Sequence, residues 1–214
     1  MKRFALLAIV AVGLAAAPAN ASIIFQDNFD AENGGKGTLN FVKFSQWTVT
    51  KGTVDLIGQK TAWDFFPGQG LYLDMDGSGK DSGGITWNES RVLGPGAYTI
   101  SFKLGGSQRW DGNNTVRMEL SDLFFEDFTF GVKDGLTQIT RSFFVKEEMK
   151  TLLSFTSLDK RDNMGLILDD VMLASEKKDD ESTDITEPAT LALIATALIL
   201  IAGLRRREGA RALS

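Results

Sequence analysis

The sequence predicts an all-β fold, an antiparallel β-sandwich, set between an N-terminal signal peptide and a single C-terminal transmembrane helix. Three observations carry this. Between Ser22 and Ala174 the apolar residues recur with a period of two, as in a half-buried strand: Tyr98, Ile100, Phe102 and Leu104 alternate with Thr99, Ser101 and Lys103, and Val116, Met118 and Leu120 with Arg117 and Glu119. Turn clusters such as Asn33-Gly34-Gly35, Gly77-Ser78-Gly79, Gly94-Pro95-Gly96, Gly105-Gly106 and Asp111-Gly112-Asn113 punctuate these runs. Helical spacing is nearly absent from the same region.

The chain opens on Met1-Lys2-Arg3, continues as an apolar run from Phe4 to Ala17, and reaches the small-x-small sequence Ala19-Asn20-Ala21 before Ser22. This is the pattern of a secretory signal peptide over residues 1–21, cut by signal peptidase after Ala21. The sandwich domain follows, over residues 22–174. Besides the two alternating runs, its strands are expected at Trp47 to Thr50, Thr53 to Ile57, Leu71 to Met75, Gly84 to Trp87, Phe124 to Phe130, Leu136 to Val145, Lys150 to Thr156 and Gly165 to Leu173. About ten short strands at regular spacing fit two packed antiparallel sheets.

Residues 175–187 are polar and rich in charge, and read as a flexible acidic linker. Then Thr186-Glu187-Pro188 leads into an uncharged apolar run, Ala189 to Leu204, closed by Arg205-Arg206-Arg207, with residues 208–214 as a short tail. Sixteen residues make a helix about 24 Å long, short for a hydrocarbon core of about 30 Å, so flanking residues must help it span. The arginines resist translocation and keep that end on the cytoplasmic side.

Composition removes whole classes of function. Cysteine and histidine are both absent, which excludes disulfides, cysteine nucleophiles, Ser-His-Asp triads and histidine-bearing zinc sites. The chain carries −5 overall; leaving out Lys2 and Arg3, and the four arginines and one glutamate of residues 205–214, puts residues 22–204 at −10. Such a surface repels nucleic acid and attracts cations.

The tail, with Glu187 and Pro188 in place and Thr186 where a proline would stand, resembles the PEP-CTERM sorting signal of Gram-negative envelope proteins. The resemblance covers residues 186–207. It implies an exosortase-type membrane protease as processing partner, passage through the inner membrane, release to the cell surface or medium, and a setting of exopolysaccharide or biofilm production.

Within the domain, Phe25 to Asp30, Trp47, Val54-Asp55-Leu56, Gly70 to Gly77, Gly94 to Phe102 and Leu168-Asp169-Asp170-Val171 fall in an order that resembles galactose-binding-like jelly rolls, including DUF642-type and carbohydrate-binding-module domains. The resemblance implies a jelly roll and one structural calcium ion between the first and last strands, at Asn28, Asp30, Asp169 and Asp170. Oxygen ligands alone suffice for calcium. Asp169 shares a face with Val171 and Leu173, so its charge must point inward and needs a partner. The stretch Asp74 to Asp81 imitates the start of an EF-hand loop, but its twelfth position is Ile85 where a bidentate Glu is needed. A strand ending in an acidic glycine turn explains it better.

For ligand binding, Arg109, Trp110, Asp111 and Asn113 set one tryptophan among guanidinium, carboxylate and amide groups, a mixture that stacks on a sugar ring and bonds its hydroxyls. Trp63-Asp64-Phe65-Phe66 and Trp87-Asn88-Glu89 are lesser versions; in each, the aromatic could instead plug an end of the sandwich. The expected function is a non-enzymatic, glycan-associated or exopolysaccharide-matrix role of an exported protein. Two other readings stay open: a structural envelope protein without ligand, and a glycan hydrolase or lyase using carboxylates such as Asp74, Asp76 or Glu89.

Overall fold

The computed structural model describes residues 21–79, 81–110, 112–159 and 162–176. In chain order these hold β1 (Ala21–Asp27), one 3-10 turn at Glu32–Gly34, β2 (Trp47–Lys51), β3 (Asp55–Gly58), β4 (Leu71–Asp74), β5 (Gly84–Trp87) and β6 (Arg91–Leu93). They continue with β7 (Gly96–Gly105), β8 (Asn114–Leu120), β9 (Phe124–Phe130), β10 (Thr137–Val145), β11 (Met149–Thr151), β12 (Leu153–Ser157) and β13 (Ile167–Glu176). Among the described residues no helix is long and apolar enough to cross a membrane. The segment 189–204, the sorting residues Thr186 to Pro188 and Arg205 to Arg207, and Ala19 all lie outside them, whereas Ala21 and Ser22 begin β1.

The fold is the expected antiparallel sandwich. One sheet runs β10-β7-β13-β4-β3 with β1 added against β13, the other β2-β5-β12-β8-β9, and β6 pairs β11 as a separate ribbon. β5 and β9 have the bounds expected from the sequence, Gly84–Trp87 and Phe124–Phe130. The run from Lys150 to Thr156 instead divides at the half-exposed Leu152, because Met149–Thr151 pairs β6 while Leu153–Ser157 joins β5 and β8. β13 extends to Glu176, since Ser175 and Glu176 are gripped by Tyr98 and Ala97 on one side and by Ser22 and Ala21 on the other.

The alternation in sequence is the alternation in space. Along β8, Val116, Met118 and Leu120 are buried while Thr115, Arg117 and Glu119 face outward. The inward residues of both sheets meet in an aromatic-rich core: Phe102 lies 5.0 Å from Phe155 and 5.4 Å from Phe128 by ring centroids, and Trp47 contacts Phe25, Trp87 and Phe155. Rings tilted or edge-on at such distances add to the burial of their large areas.

β3 and β4 break the alternation, for both are buried along their whole length. The segment between them folds back over the outer face of the first sheet and covers Ile57, Tyr72 and Ile167 with Phe65 and Phe66. It is fastened there by the Tyr72 hydroxyl, which accepts the backbone N–H of Phe65 (2.5 Å) and of Phe66 (3.0 Å). This second small core brings Trp63 and Phe65 to the same face as the ends of β3 and β4.

β13 has two partners in succession along one edge. Ile167 and Leu168 pair β4, and from Val171 onward the strand pairs β1. Between them the register against β7 shifts at Asp169 and Asp170, and Asp170 takes a left-handed φ of 49°. The bulge falls level with the point where β4 gives way to β1, and it pairs Asp170 with Lys103 of β7.

Candidate functional site: an aromatic-walled acidic pocket and an unpaired buried carboxylate

The pocket lies on the outer face of the first sheet, a cavity of about 380 Å³. Its apolar lining comes from Leu39, Ile57 and Met164, and its aromatic lining from Trp63 and Trp110. Trp110 is 86% exposed and Trp63 47%, so neither plugs the sandwich. An indole so placed can take the apolar face of a ring ligand.

Strand register assembles the polar side. Asp55 of β3 stands opposite Asp74 of β4, and Asp74 opposite Ile167 of β13, so alternate residues place both carboxylates on the outer face. Asp55 accepts the backbone N–H of Asn40 (2.7 Å) and of Ser78 (3.0 Å) and the Ser78 hydroxyl (2.7 Å). The Gly77-Ser78-Gly79 turn is thereby held over β3, and the stretch is the acidic glycine turn expected from sequence.

Asp74 is fully enclosed. One oxygen accepts the N–H of Asp76 (3.0 Å) and of Gly165 (2.9 Å), and the other forms a salt bridge with Nη2 of Arg109. Arg109 also donates through Nη1 to the Asn163 carbonyl (2.6 Å) and lies over the Phe65 ring at 5.1 Å. Burial pushes the Asp74 carboxyl up to about 7, against the pull of Arg109 and the Asp76 N–H. A folded-state pKa raised above 3.8 contributes stability that is complete below the unfolded value and lost as pH rises to about 7. Carbon-detected NMR of the Asp74 carboxyl is expected to give a midpoint near neutrality, with the melting temperature falling across the same range. A midpoint below 4 would mean that Arg109 outweighs burial.

Asp76 supports the far rim. It is 1% exposed, and its Oδ2 accepts the N–H of Asp162 (2.9 Å) and of Asn163 (3.0 Å), which fixes the segment carrying Asn163 and Met164. Its Oδ1 is buried without a partner.

Of the four ligand residues expected from sequence, Arg109 and Trp110 line this pocket. Asn113 is exposed and lines a neighbouring cavity with Asn114 and Asp159, and Asp111 lies outside the described residues. Asp55, Ser78 and Asn163 escaped sequence reasoning. Only the Asp55–Asp74 register and the Asp76 contacts bring them together, and no local motif marks either.

The four expected calcium ligands fall in two pairs near the β1–β4–β13 junction, and Asp30, Asp169 and Asp170 do not close into a metal-holding group. Asn28 and Asp30 bond each other, Nδ2 to Oδ2 at 2.9 Å, and Asp30 Oδ1 accepts the N–H of Leu71 at 2.7 Å. Asp170 is paired with Lys103 at 2.5 Å, and Lys103 also donates to Gln69 at 2.9 Å. Asp169 is 1% exposed; its Oδ1 accepts the Asp170 N–H (2.8 Å), and its Oδ2 is buried without a partner. Burial, then the charges of Asp170 and Asp30, push its carboxyl up to about 7. Among the described residues no three His, Cys, Asp or Glu side chains are grouped so that they could hold a metal ion.

No protein-family model matches the chain, and no curated protein matches it. Similar solved structures include the CBM22-1 xylan-binding domain of Paenibacillus barcinonensis Xyn10C, at 12% identity and a TM-score of 0.45, with 76% of this chain and 99% of that one covered. A further xylan-binding domain from CBM 22 is 14% identical with a TM-score of 0.45, over 74% of this chain and 98% of that one. The K3 adhesin domain of Lys-gingipain from Porphyromonas gingivalis W83 is 13% identical with a TM-score of 0.45, over 72% and 100%.

Proposed function

We propose that this chain is an exported, non-catalytic glycan-binding protein whose sugar site is the Trp63–Trp110 pocket. The observation that carries the reading is Trp110, an indole 86% exposed at the mouth of a pre-formed cavity with carboxylate, guanidinium and amide groups behind it. An indole exposed at the mouth of a cavity offers a flat apolar face on which a sugar ring can stack, with polar groups beside it for the hydroxyls. The carboxylates suit binding better than bond cleavage. Asp74 is fastened by Arg109 and two backbone N–H groups, Asp76 faces the rim segment, and Glu89 is exposed on the β5–β6 turn outside the pocket lining. They do not form a pair free to act on opposite sides of a glycosidic bond.

Affinity electrophoresis of residues 22–176 through gels carrying neutral, amino and acidic polysaccharides tests this. Retardation by at least one glycan, relieved by the soluble oligosaccharide, is expected; unretarded migration through all of them, with a folded domain, would refute it.

The tail supports delivery through a PEP-CTERM-like route, with an exosortase cutting near Thr186-Glu187-Pro188 after passage through the inner membrane, and so a place at the cell surface or in the exopolysaccharide matrix. Intact mass of the secreted protein is expected to correspond to a start at Ser22 and an end near residue 187. Recovery of the full-length chain from membranes alone would contradict processing.

At the junction, one calcium ion is the proposed partner of the unpaired Asp169 oxygen. The donor set is all oxygen, as calcium requires; Asp169 and Asp30 would supply charge, Asn28 and Asp170 further oxygens, and backbone carbonyls or water the remainder. Bound there, the ion supplies cross-linking of the first and last strands and no reaction chemistry.

A further inference from the structure

We propose that the Trp63–Trp110 pocket is the middle of a three-compartment cleft, and that it takes an internal stretch of a linear, neutral β-1,4-linked glycan rather than a single sugar or a chain end. This rests on the glycan-binding reading of the same pocket and narrows its ligand class. Three cavities lie in a row. One of about 330 Å³ has Leu39, Ile57 and Trp63 in common with the pocket, and the cavity that holds Asn113, of about 450 Å³, has Asp162 in common with it. These two flanking cavities have no lining residue in common with each other, so the pocket lies between them. Small-molecule sites usually measure about 300–1,000 Å³, so one compartment holds little more than a small sugar, and the row holds a chain.

The walls favour the same ligand. A chain end is told from an internal sugar by hydrogen bonds to the hydroxyl that a linkage would consume, and the polar groups of the pocket are engaged elsewhere. Asp55 and Asp74 accept from backbone N–H groups, the Ser78 hydroxyl and Arg109, and Arg109 Nε, though without a partner, is buried. The grip therefore falls to the apolar side chains and the two indoles, which suit a flat apolar face repeated along a chain. A β-1,4-linked chain of equatorial pyranoses has such a face on every ring, made of axial C–H bonds. Trp63, common to two compartments, is held ready for it. Its backbone N–H donates to Thr61 Oγ1 (3.1 Å), which donates to the Gly58 carbonyl (2.7 Å), and its ring lies 6.4 Å from that of Phe65. In the third compartment the exposed amide of Asn113 offers both a donor and an acceptor to sugar hydroxyls.

Isothermal titration of residues 22–176 with cello-oligosaccharides and N-acetylated chito-oligosaccharides, each from the disaccharide to the hexasaccharide, tests the proposal. In at least one series affinity is expected to rise with length, by at least about tenfold from disaccharide to hexasaccharide. The matching soluble polymer, hydroxyethyl cellulose or glycol chitin, should load a number of domains that grows with chain length. Ala62→Arg, from an exposed position in the second compartment, and Asn113→Ala in the third should each lower the hexasaccharide affinity at least about fivefold, with the melting temperature unmoved. A disaccharide bound as tightly as the hexasaccharide overturns the cleft while leaving glycan binding intact. One domain per polymer chain does the same, for it marks an end binder. Hexasaccharide affinity untouched by both variants places the chain outside the cleft and overturns it too. If neither series binds, this inference falls, and the glycan reading of the pocket falls with it only where electrophoresis also finds no retarding polysaccharide.

Discussion

Replacing Asp169 by Asn is expected to stabilise the calcium-free domain by about 1–3 kcal/mol and to abolish stabilisation by calcium. The reversal of sign is the point of the experiment. Asp169 is 1% exposed, one oxygen lacks any partner, and the charges nearest to it include Asp170 and Asp30. Without a metal the ionised carboxylate is therefore a liability, only partly offset by Lys103, whose own salt bridge goes to Asp170. The isosteric amide removes the charge and keeps an oxygen for the Asp170 N–H. With calcium the order inverts, because an ion bound to the folded state alone stabilises it by mass action, about 2.7 kcal/mol at a hundredfold excess over Kd. Differential scanning calorimetry in EDTA and in millimolar calcium reads both arms. A variant less stable than the native protein in EDTA would mean that Asp169 has a partner in solution other than a metal.

Gly70→Ala is expected to cost about 3 kcal/mol, read as a lower midpoint in urea with an unchanged slope. Two independent effects add here. Gly70 has φ +79°, a left-handed conformation that costs an alanine about 1–2 kcal/mol. A Cβ there would also stand 1.9 Å from Oδ1 of Asp30, the atom that accepts the Leu71 N–H at the start of β4. The carboxylate must leave, and a charge-assisted hydrogen bond goes with it. Since Asp30 is one of the proposed calcium ligands, the variant should also weaken any response to calcium; Gly68→Ala, at φ +90° but with nothing within 4 Å of its Cβ, isolates the conformational share.

Both sites show where sequence reasoning reaches and where it stops. The period-two runs of β7 and β8 gave the sandwich because each strand has one wet and one dry face, so burial is written in the residue order. β1 was missed because Ile23, Ile24 and Phe25 do not alternate in sequence, and Ile23 is 57% exposed while Phe25 is buried across a register shift. β3 and β4 were found, but not that the segment between them roofs their outer faces, which depends on Tyr72 catching two distant N–H groups. Trp110 was legible as a lone aromatic in a polar loop. Asp55 and Asn163 were not, since tertiary register alone sets them beside Arg109. The face that Asp169 was expected to share with Val171 and Leu173 is not the one it takes: Leu168 and Val171 both enter the core, so the bulge between them sets Asp169 opposite Lys103 on the other face, and no residue pattern marks that bulge.

With the exposed indole of Trp110 as the sugar platform, titration of a retained oligosaccharide should be visible in the tryptophan emission of the domain. The native domain is expected to give a saturable change. In Trp110→Ala the affinity should fall by about 2 kcal/mol, roughly 30-fold, with the melting temperature unmoved. A Trp110→Ala domain that binds the same sugar as tightly as the native one, by calorimetry, would place the glycan elsewhere and contradict the account.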